Sequence, residues 1–257
     1  MEFEYKKSLG QNFIYDLDYL HALVKKLNVQ PTDTVVEVGA GMGTLTQVLA
    51  DTGCRVHSLE VDCRLKSHLE QRLQKYSNVE LIFEDALKHN FSDIPNFRLI
   101  ANVPYYITTP LIMQFLSLPN CREINILIAN EVAQRIVEGP GSTLYGALSV
   151  SCQLQAECKI IQNVPRTMFT PKPKVDSAFV CLKKNGKPYD PVLSKLLKAV
   201  FAARRKTILN ALSGALNCDK QTCAQILSEV GVDVTCRPEQ ISPTQYAKIS
   251  EISRKHQ

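Results

Sequence analysis

An α/β fold with a mostly parallel sheet, an antiparallel edge and a small all-helical domain after it is what this 257-residue sequence predicts. Three observations carry that expectation. Short apolar runs alternate with helical patterns from about residue 34 to residue 155, which implies parallel strands covered on both faces. The first run ends in a glycine-studded turn, Gly39-Ala40-Gly41-Met42-Gly43, where backbone N–H groups can approach a ligand at a strand end. At 183–191, KKNGKPYDP, the strand signal stops, and only helical periodicity follows. The expected division is 1–186 and 187–257.

Composition narrows the class. Hydrophobic residues make up 45% and charged residues 21% of the chain, the balance of a soluble globular protein. No apolar run reaches the roughly 20 residues that a membrane span needs. The N-terminal MEFEYKKSLGQNF has no apolar signal core, and Glu2 and Glu4 argue against a transit peptide, so a cytoplasmic protein is expected. The nine cysteines include no CxxC pair, and no metal site is expected from them. The net charge of +5 is unevenly spread. Residues 183–257 hold 13 Lys/Arg against 6 Asp/Glu, whereas the first 182 hold 17 against 19. The basic excess therefore lies late in the chain, where a polyanion would bind.

Element by element, Asp16 can cap a helix running to Leu27, with Leu17, Leu20, Leu23, Val24 and Leu27 on one face. Strands are expected at 34–38, 55–60, 79–84, 97–101 and 124–129. Helices are expected at 44–50, 64–75, 110–118, 131–138 and 144–155. A late strand pair, 157–164 and 176–182, forms the antiparallel edge, joined by the proline-rich PRTMFTPKPKV. Beyond the break, helices are expected at 192–216, 223–230 and 244–253, and Arg204, Arg205 and Lys206 interrupt the packing stripe of the first.

Four features carry chemistry. The glycine turn reads GxGxG, not the GxGxxG of dinucleotide binders. Glu60 closes the next strand, 19 residues past Gly41, where an acid can accept hydrogen bonds from both ribose hydroxyls of an adenosine. That arrangement serves NAD and S-adenosylmethionine alike. Asp85 ends the third strand and can read an adenine amine, or can simply cap a helix starting at Ala86. Asn102-Val103-Pro104-Tyr105-Tyr106 comes after the fourth strand. It is similar to the (Asn/Asp)-Pro-Pro-(Tyr/Phe) box of amino methyltransferases, with Val103 at the first proline. An exocyclic adenine amine is a poor nucleophile because its lone pair is delocalised into the ring. The Asn102 amide oxygen and a carbonyl near Val103 can accept its two N–H bonds and aim the lone pair. Pro104 stiffens the turn, and Tyr105 offers a face for an unstacked base.

Taken together, KSLGQNF, EVGAGMGTLT, LEVD, EDAL, NVPYYITTP, YGALSV, PKPKVDSAF and FAARRKTI resemble the ribosomal RNA adenine N6,N6-dimethyltransferase family, in order and spacing, from Lys7 to about Ile249. The resemblance implies a Rossmann-like methyltransferase domain over 1–186 that uses S-adenosylmethionine, and a helical RNA-binding domain over 187–257. It places cofactor contacts on Asn12, Ile14, Gly39, Glu60, Asp85 and Asn102, with Gln11–Ile14 as a strap over the cofactor. It places the target adenine between Tyr105 and Phe169. Asn102, Pro104 and Tyr105 are the expected catalytic set, while Tyr106, Arg204, Arg205 and Lys206 are expected substrate contacts. Tyr106 stands where many relatives carry Asn, which puts its contact in question. The implied partner is the small ribosomal subunit with its 16S rRNA, dimethylated at two adjacent adenosines near the 3′ end; a monomer is expected, although the sequence does not give the oligomeric state. Competing readings are a methylase of large-subunit rRNA, a non-catalytic binder and an NAD-dependent enzyme.

Overall fold

A computed structural model describes residues 12–255. They form ten α-helices and a seven-stranded sheet. The chain packs into two compact units. Among the described residues, one takes 12–133 together with 159–184, and the other takes 134–158 together with 185–255. The break that composition marks at 183–191 is thus only one of three crossings. Residues 134–158 pack with the C-terminal helices, a pairing between distant segments that no linker composition announces.

The first unit starts with helix α1, Leu17–Leu27, capped by Asp16, whose carboxylate accepts the Tyr19 N–H. Leu20, Leu23, Val24 and Leu27 are buried on its inner face. Strands β1 (Thr34–Val38), β2 (Arg55–Leu59), β3 (Val79–Ile82), β4 (Phe97–Asn102) and β5 (Cys121–Ala129) alternate with α2 (Thr44–Asp51), α3 (Lys66–Leu73) and α4 (Thr108–Ser117). α5 (Asn130–Val137) begins at the end of this unit's first segment, and β6 (Ala156–Val164), most of which lies in the unit, and β7 (Ser177–Lys184) complete the sheet. Its order is β3-β2-β1-β4-β5-β7-β6. β1 through β5 pair in parallel, and β7 runs antiparallel to β5. The expected antiparallel edge is present. The four central parallel strands read Val/Ile/Leu-rich because both faces are covered; Val35, Val36, Leu99, Ile100 and Ile126 are fully buried.

Local departures have local causes. The expected helix 64–75 opens as a 3₁₀ turn, Cys63–Leu65, held by the Asp62 side chain on the Arg64 N–H. α4 begins two residues before Pro110, which sits in the first turn, where its missing N–H has no intrahelical partner to lose.

In the second unit, α6 (Ala147–Gln155) packs on α7 (Pro191–Ala202) and α10 (Pro243–Ser253), and α8 (Ile208–Leu216) and α9 (Lys220–Glu229) join through these two. Their common core includes Val150, Leu197, Val200, Leu212, Ile226 and Tyr246. Two buried tyrosines satisfy their hydroxyls on backbone: Tyr145 on the Ile241 carbonyl and Tyr246 on the Pro238 carbonyl, at 2.9 and 2.8 Å.

The expected single helix 192–216 is corrected to two. It breaks at 203–207, where Thr207 is extended and the Ile208 N–H turns to the Cys236 carbonyl at 2.7 Å. That tertiary hydrogen bond replaces an intrahelical one. Arg204, Arg205 and Lys206 therefore lie in a turn between helices, not on a helix surface.

Candidate active site

The carboxyl ends of β1, β2 and β4 open onto one cavity of about 250 Å³ in the first unit. Open parallel sheets bind ligands at this edge. The glycine turn forms its floor. Gly39, Gly41 and Gly43 all have positive φ, at 83°, 56° and 76°. All three also need the missing side chain for space, Gly43 against Leu69 at 3.0 Å. A Cβ on Gly39 would stand 3.1 Å from the Asn102 carbonyl oxygen, so the bare glycine lets the ends of β1 and β4 approach. A Cβ on Gly41 would stand 2.6 Å from the Phe13 ring. The turn is thus a cradle that a single methyl group would fill.

Glu60 is buried beside this floor. Its two carboxylate oxygens accept the Gly41 and Asp62 N–H groups, both at 2.8 Å. Burial raises its pKa, and these two N–H bonds oppose the rise. The carboxylate is therefore oriented by backbone before any ligand arrives. Asp85 lines the same cavity and also caps the turn after it, accepting the Leu87 N–H at 3.0 Å. The helix expected from Ala86 is corrected to this turn, closed by the Asp85 carboxylate on the Leu87 N–H.

Asn12, Phe13 and Ile14 cross the cavity as a strap; Gln11 lies outside the described residues. Phe13 exchanges both backbone hydrogen bonds with Thr170, at 2.9 and 2.8 Å. The Thr44 hydroxyl donates to the Ile14 carbonyl at 2.8 Å, and Asn102 Nδ2 reaches the Asn12 carbonyl at 3.4 Å. One short strap is thereby tied to the start of α2, the end of β4 and the loop before β7.

From the end of β4 the chain runs through Val103 and Pro104 into a 3₁₀ turn, Tyr105–Ile107. Asn102, Pro104, Tyr105 and Tyr106 all line the cavity. Tyr106 is 64% exposed at its rim. Phe169 lines the cavity from the opposite segment, 4% exposed, and is at once a member of the core beneath α1. The expected cofactor and base residues thus meet in one place. Arg204, Arg205 and Lys206 belong to the second unit. Arg204 is half-buried there, donating to the Ser142 carbonyl at 3.1 Å and pairing with Glu239 at 3.5 Å, while Arg205 and Lys206 are exposed.

Some of the cavity's supports escape sequence reasoning. Phe13 and Thr44 act by backbone pairing and by a hydroxyl on a carbonyl, contacts that leave no compositional trace. Glu37 on β1, inside the EVGAG segment, is fully buried, and its Oε2 accepts the Thr46 and Ser58 hydroxyls, both at 2.6 Å. Its position beside the glycine turn was visible, but its partners were not. Among the described residues there is no group of three or more His, Cys, Asp or Glu able to hold a metal ion, and no helix is long and apolar enough to cross a membrane.

Comparison with known proteins places this geometry. A family model described as ribosomal RNA adenine dimethylase matches residues 2–255. A protein of Shouchella clausii named ribosomal RNA small subunit methyltransferase A is 41% identical, over 97% of this chain and 90% of its own. Its namesakes from Bacillus cytotoxicus and Clostridium botulinum are 37% and 38% identical, with 96% and 97% of this chain and 91% and 94% of theirs covered. Among solved structures, a dimethyladenosine transferase from Plasmodium falciparum superposes with a TM-score of 0.83 at 24% identity, covering 95% of this chain and 98% of that one. The 23S rRNA methyltransferase ErmE superposes with a TM-score of 0.72 at 24% identity, covering 93% and 98%. At such identities the two structures speak for a shared Rossmann-like methyltransferase fold, while the family model and the sequence relatives speak for the chemistry. The chain belongs to the ribosomal RNA adenine dimethylase family and is an rRNA adenine dimethyltransferase.

Proposed function

We propose that the cavity holds S-adenosylmethionine and that the enzyme dimethylates the N6 amines of two adjacent adenosines near the 3′ end of 16S rRNA, in the small ribosomal subunit. The observation that carries this reading is the convergence of strap, glycine turn, Glu60, Asp85 and the Asn102–Tyr106 box on one cavity. The residues fit the cofactor. Glu60 presents an oriented carboxylate for ribose hydroxyls, and Asp85 stands at the adenine end. Gly39 leaves backbone exposed beside the box, and Asn12 and Ile14 cover the methionine end. Bound there, S-adenosylmethionine supplies an electrophilic methyl carbon on a sulfonium.

The protein's own part is positioning. Asn102, with Nδ2 turned toward the strap, has Oδ1 as the acceptor for an N6–H. A carbonyl near Val103 takes the second N–H. These acceptors favour sp³ character at nitrogen and direct its lone pair. Pro104 stiffens the turn, and Tyr105 and Phe169 flank the base from opposite segments. No tuned general base is required; orientation and fixed dipoles supply the acceleration. Tyr106 at the cavity rim of the first unit offers stacking, and in the second unit the exposed Arg205 and Lys206 offer phosphate contacts. The half-buried Arg204 serves the turn's own structure. The second unit is read as the RNA-binding part, and the enzyme as a cytoplasmic monomer.

Mass mapping of methylated adenosines, after incubation with S-adenosylmethionine and small subunits lacking the modification, tests the proposal. Dimethylation of two neighbouring adenosines near the 3′ end is the expected result. Methylation of free large-subunit rRNA alone would overturn it.

A further inference from the structure

The sequence motif PKPKVDSAF carries an apolar-to-polar junction, Val175-Asp176-Ser177, that the proposed chemistry does not use. In the structure Ser177 opens β7 and is fully buried. It is held in register opposite Ala129 of β5. Its Oγ lies 2.7 Å from the Tyr105 hydroxyl. Tyr105 itself sits in a short 3₁₀ turn, an element with little rigidity of its own. The ring is anchored at its root by the turn after Pro104 and at its tip by the sheet. Asp176 holds the facing segment in the same way. Its carboxylate accepts the Arg166 N–H at 2.9 Å, and its carbonyl accepts the Asn130 N–H at 2.9 Å. Arg166 opens the segment that carries Phe169. Two consecutive residues at the start of one strand therefore tie down both aromatic sides of the cavity.

We propose that Ser177 is a positioning residue for methyl transfer: its hydroxyl locks the Tyr105 ring in the plane against which the target adenine stacks. The inference rests on the reading of Tyr105 as the base platform. A tyrosine free to swing would still bind a base, but in several orientations, and small misplacements of the amine are costly to in-line transfer. The effect should therefore fall on turnover more than on binding.

Methylation kinetics on small subunits lacking the modification, for Ser177→Ala, Tyr105→Phe and their double variant, test the idea. Each single variant should lower kcat by about three- to tenfold, the scale of one neutral hydrogen bond, with KM changed less than kcat. The double variant should lose no more than either single one, because all three remove the same bond. Ser177→Thr, which restores a hydroxyl, should recover most of the rate. S-adenosylhomocysteine affinity and Tm should stay near wild type in Tyr105→Phe, which leaves the strand untouched. Additive losses, or equal turnover in wild type and Tyr105→Phe, would overturn the proposal. Tyr105→Ala separates it from the reading beneath it. If that variant methylates normally, the base-platform reading falls; if it loses activity while Tyr105→Phe and Ser177→Ala do not, only the positioning role falls.

Discussion

The cavity at the sheet edge and the basic turn of the helical unit were both marked by short sequence clusters, yet the fold treats them differently. Gly39, Gly41, Glu60, Asp85 and the residues from Asn102 to Tyr106 all line one cavity, while Gly43 faces Leu69 and Arg72 behind it. The Arg204-Arg205-Lys206 cluster is divided: Arg204 braces Ser142 and Glu239, and its two neighbours face solvent. The difference is one of constraint. A glycine at positive φ or an acid at a strand end is tied to its place by backbone geometry that the local sequence already dictates. A surface cation has no such tie, and the nearest carbonyl or carboxylate from a distant segment decides what it does.

Asn102→Ala should have the largest effect. Methyl transfer is expected to fall by about 10²-fold or more, the scale seen when one positioned polar group is lost, while S-adenosylhomocysteine still binds in calorimetry. Near-normal turnover would remove the box from the chemistry.

Gly41→Ala comes next. It combines a positive φ with a Cβ that would meet the Phe13 ring at 2.6 Å, so the strap must move. Cofactor affinity should drop by about tenfold, a cost of about 1.4 kcal/mol within the range for such backbone strain. Gly139→Ala, at a site with nothing within 4 Å of the added Cβ, should leave it unchanged.

Splitting the basic turn sharpens the contrast further. Arg205→Glu and Lys206→Glu should weaken RNA binding several-fold and flatten its salt dependence, without lowering Tm. Arg204→Ala should instead lower Tm, since it strips partners from Ser142 and Glu239. If all three variants lowered Tm alike, the division of the cluster would be wrong.

The smallest effect on activity is expected at Glu37, buried under the glycine turn. Burial pushes its carboxyl up to about 7, with the Ser58 and Thr46 hydroxyls opposing the rise and Glu60 adding to it. Between about pH 4.5, where an exposed glutamate titrates, and about pH 7, the unfolded chain has released this proton and the folded chain keeps it. Glu37 therefore makes stability fall as pH rises through that window, and contributes no slope above or below it. Glu37→Gln should flatten the pH dependence of Tm across that range. An unchanged slope would mean that the carboxyl is ionised in the fold.

Much of the fold was legible in the chain. The Asp16 cap, the five-residue strand Thr34–Val38 and the parallel run of strands follow from side-chain chemistry and apolar patterning within a dozen residues. The lining of the cavity was legible wherever a distinctive residue stands at a strand end: Gly39, Glu60, Asn102. It was not legible where support is carried by common residues, such as the Phe13 pairing with Thr170, Thr44 on the Ile14 carbonyl, or Ser177 on Tyr105. Serine and threonine occur at such frequency that only proximity gives them meaning.

By itself the sequence determined the succession of strands and helices, the glycine turn and the residues proposed to bind an adenosyl group and an adenine amine, because each follows from local periodicity or from a residue type with few substitutes. Only the tertiary structure decided that 134–158 joins the C-terminal helices, that the helix after residue 191 breaks at 203–207, and that Ser177 meets Tyr105. Each of these depends on a hydrogen bond or a packed face between segments far apart in the chain, and no local pattern can encode which distant partner will be there.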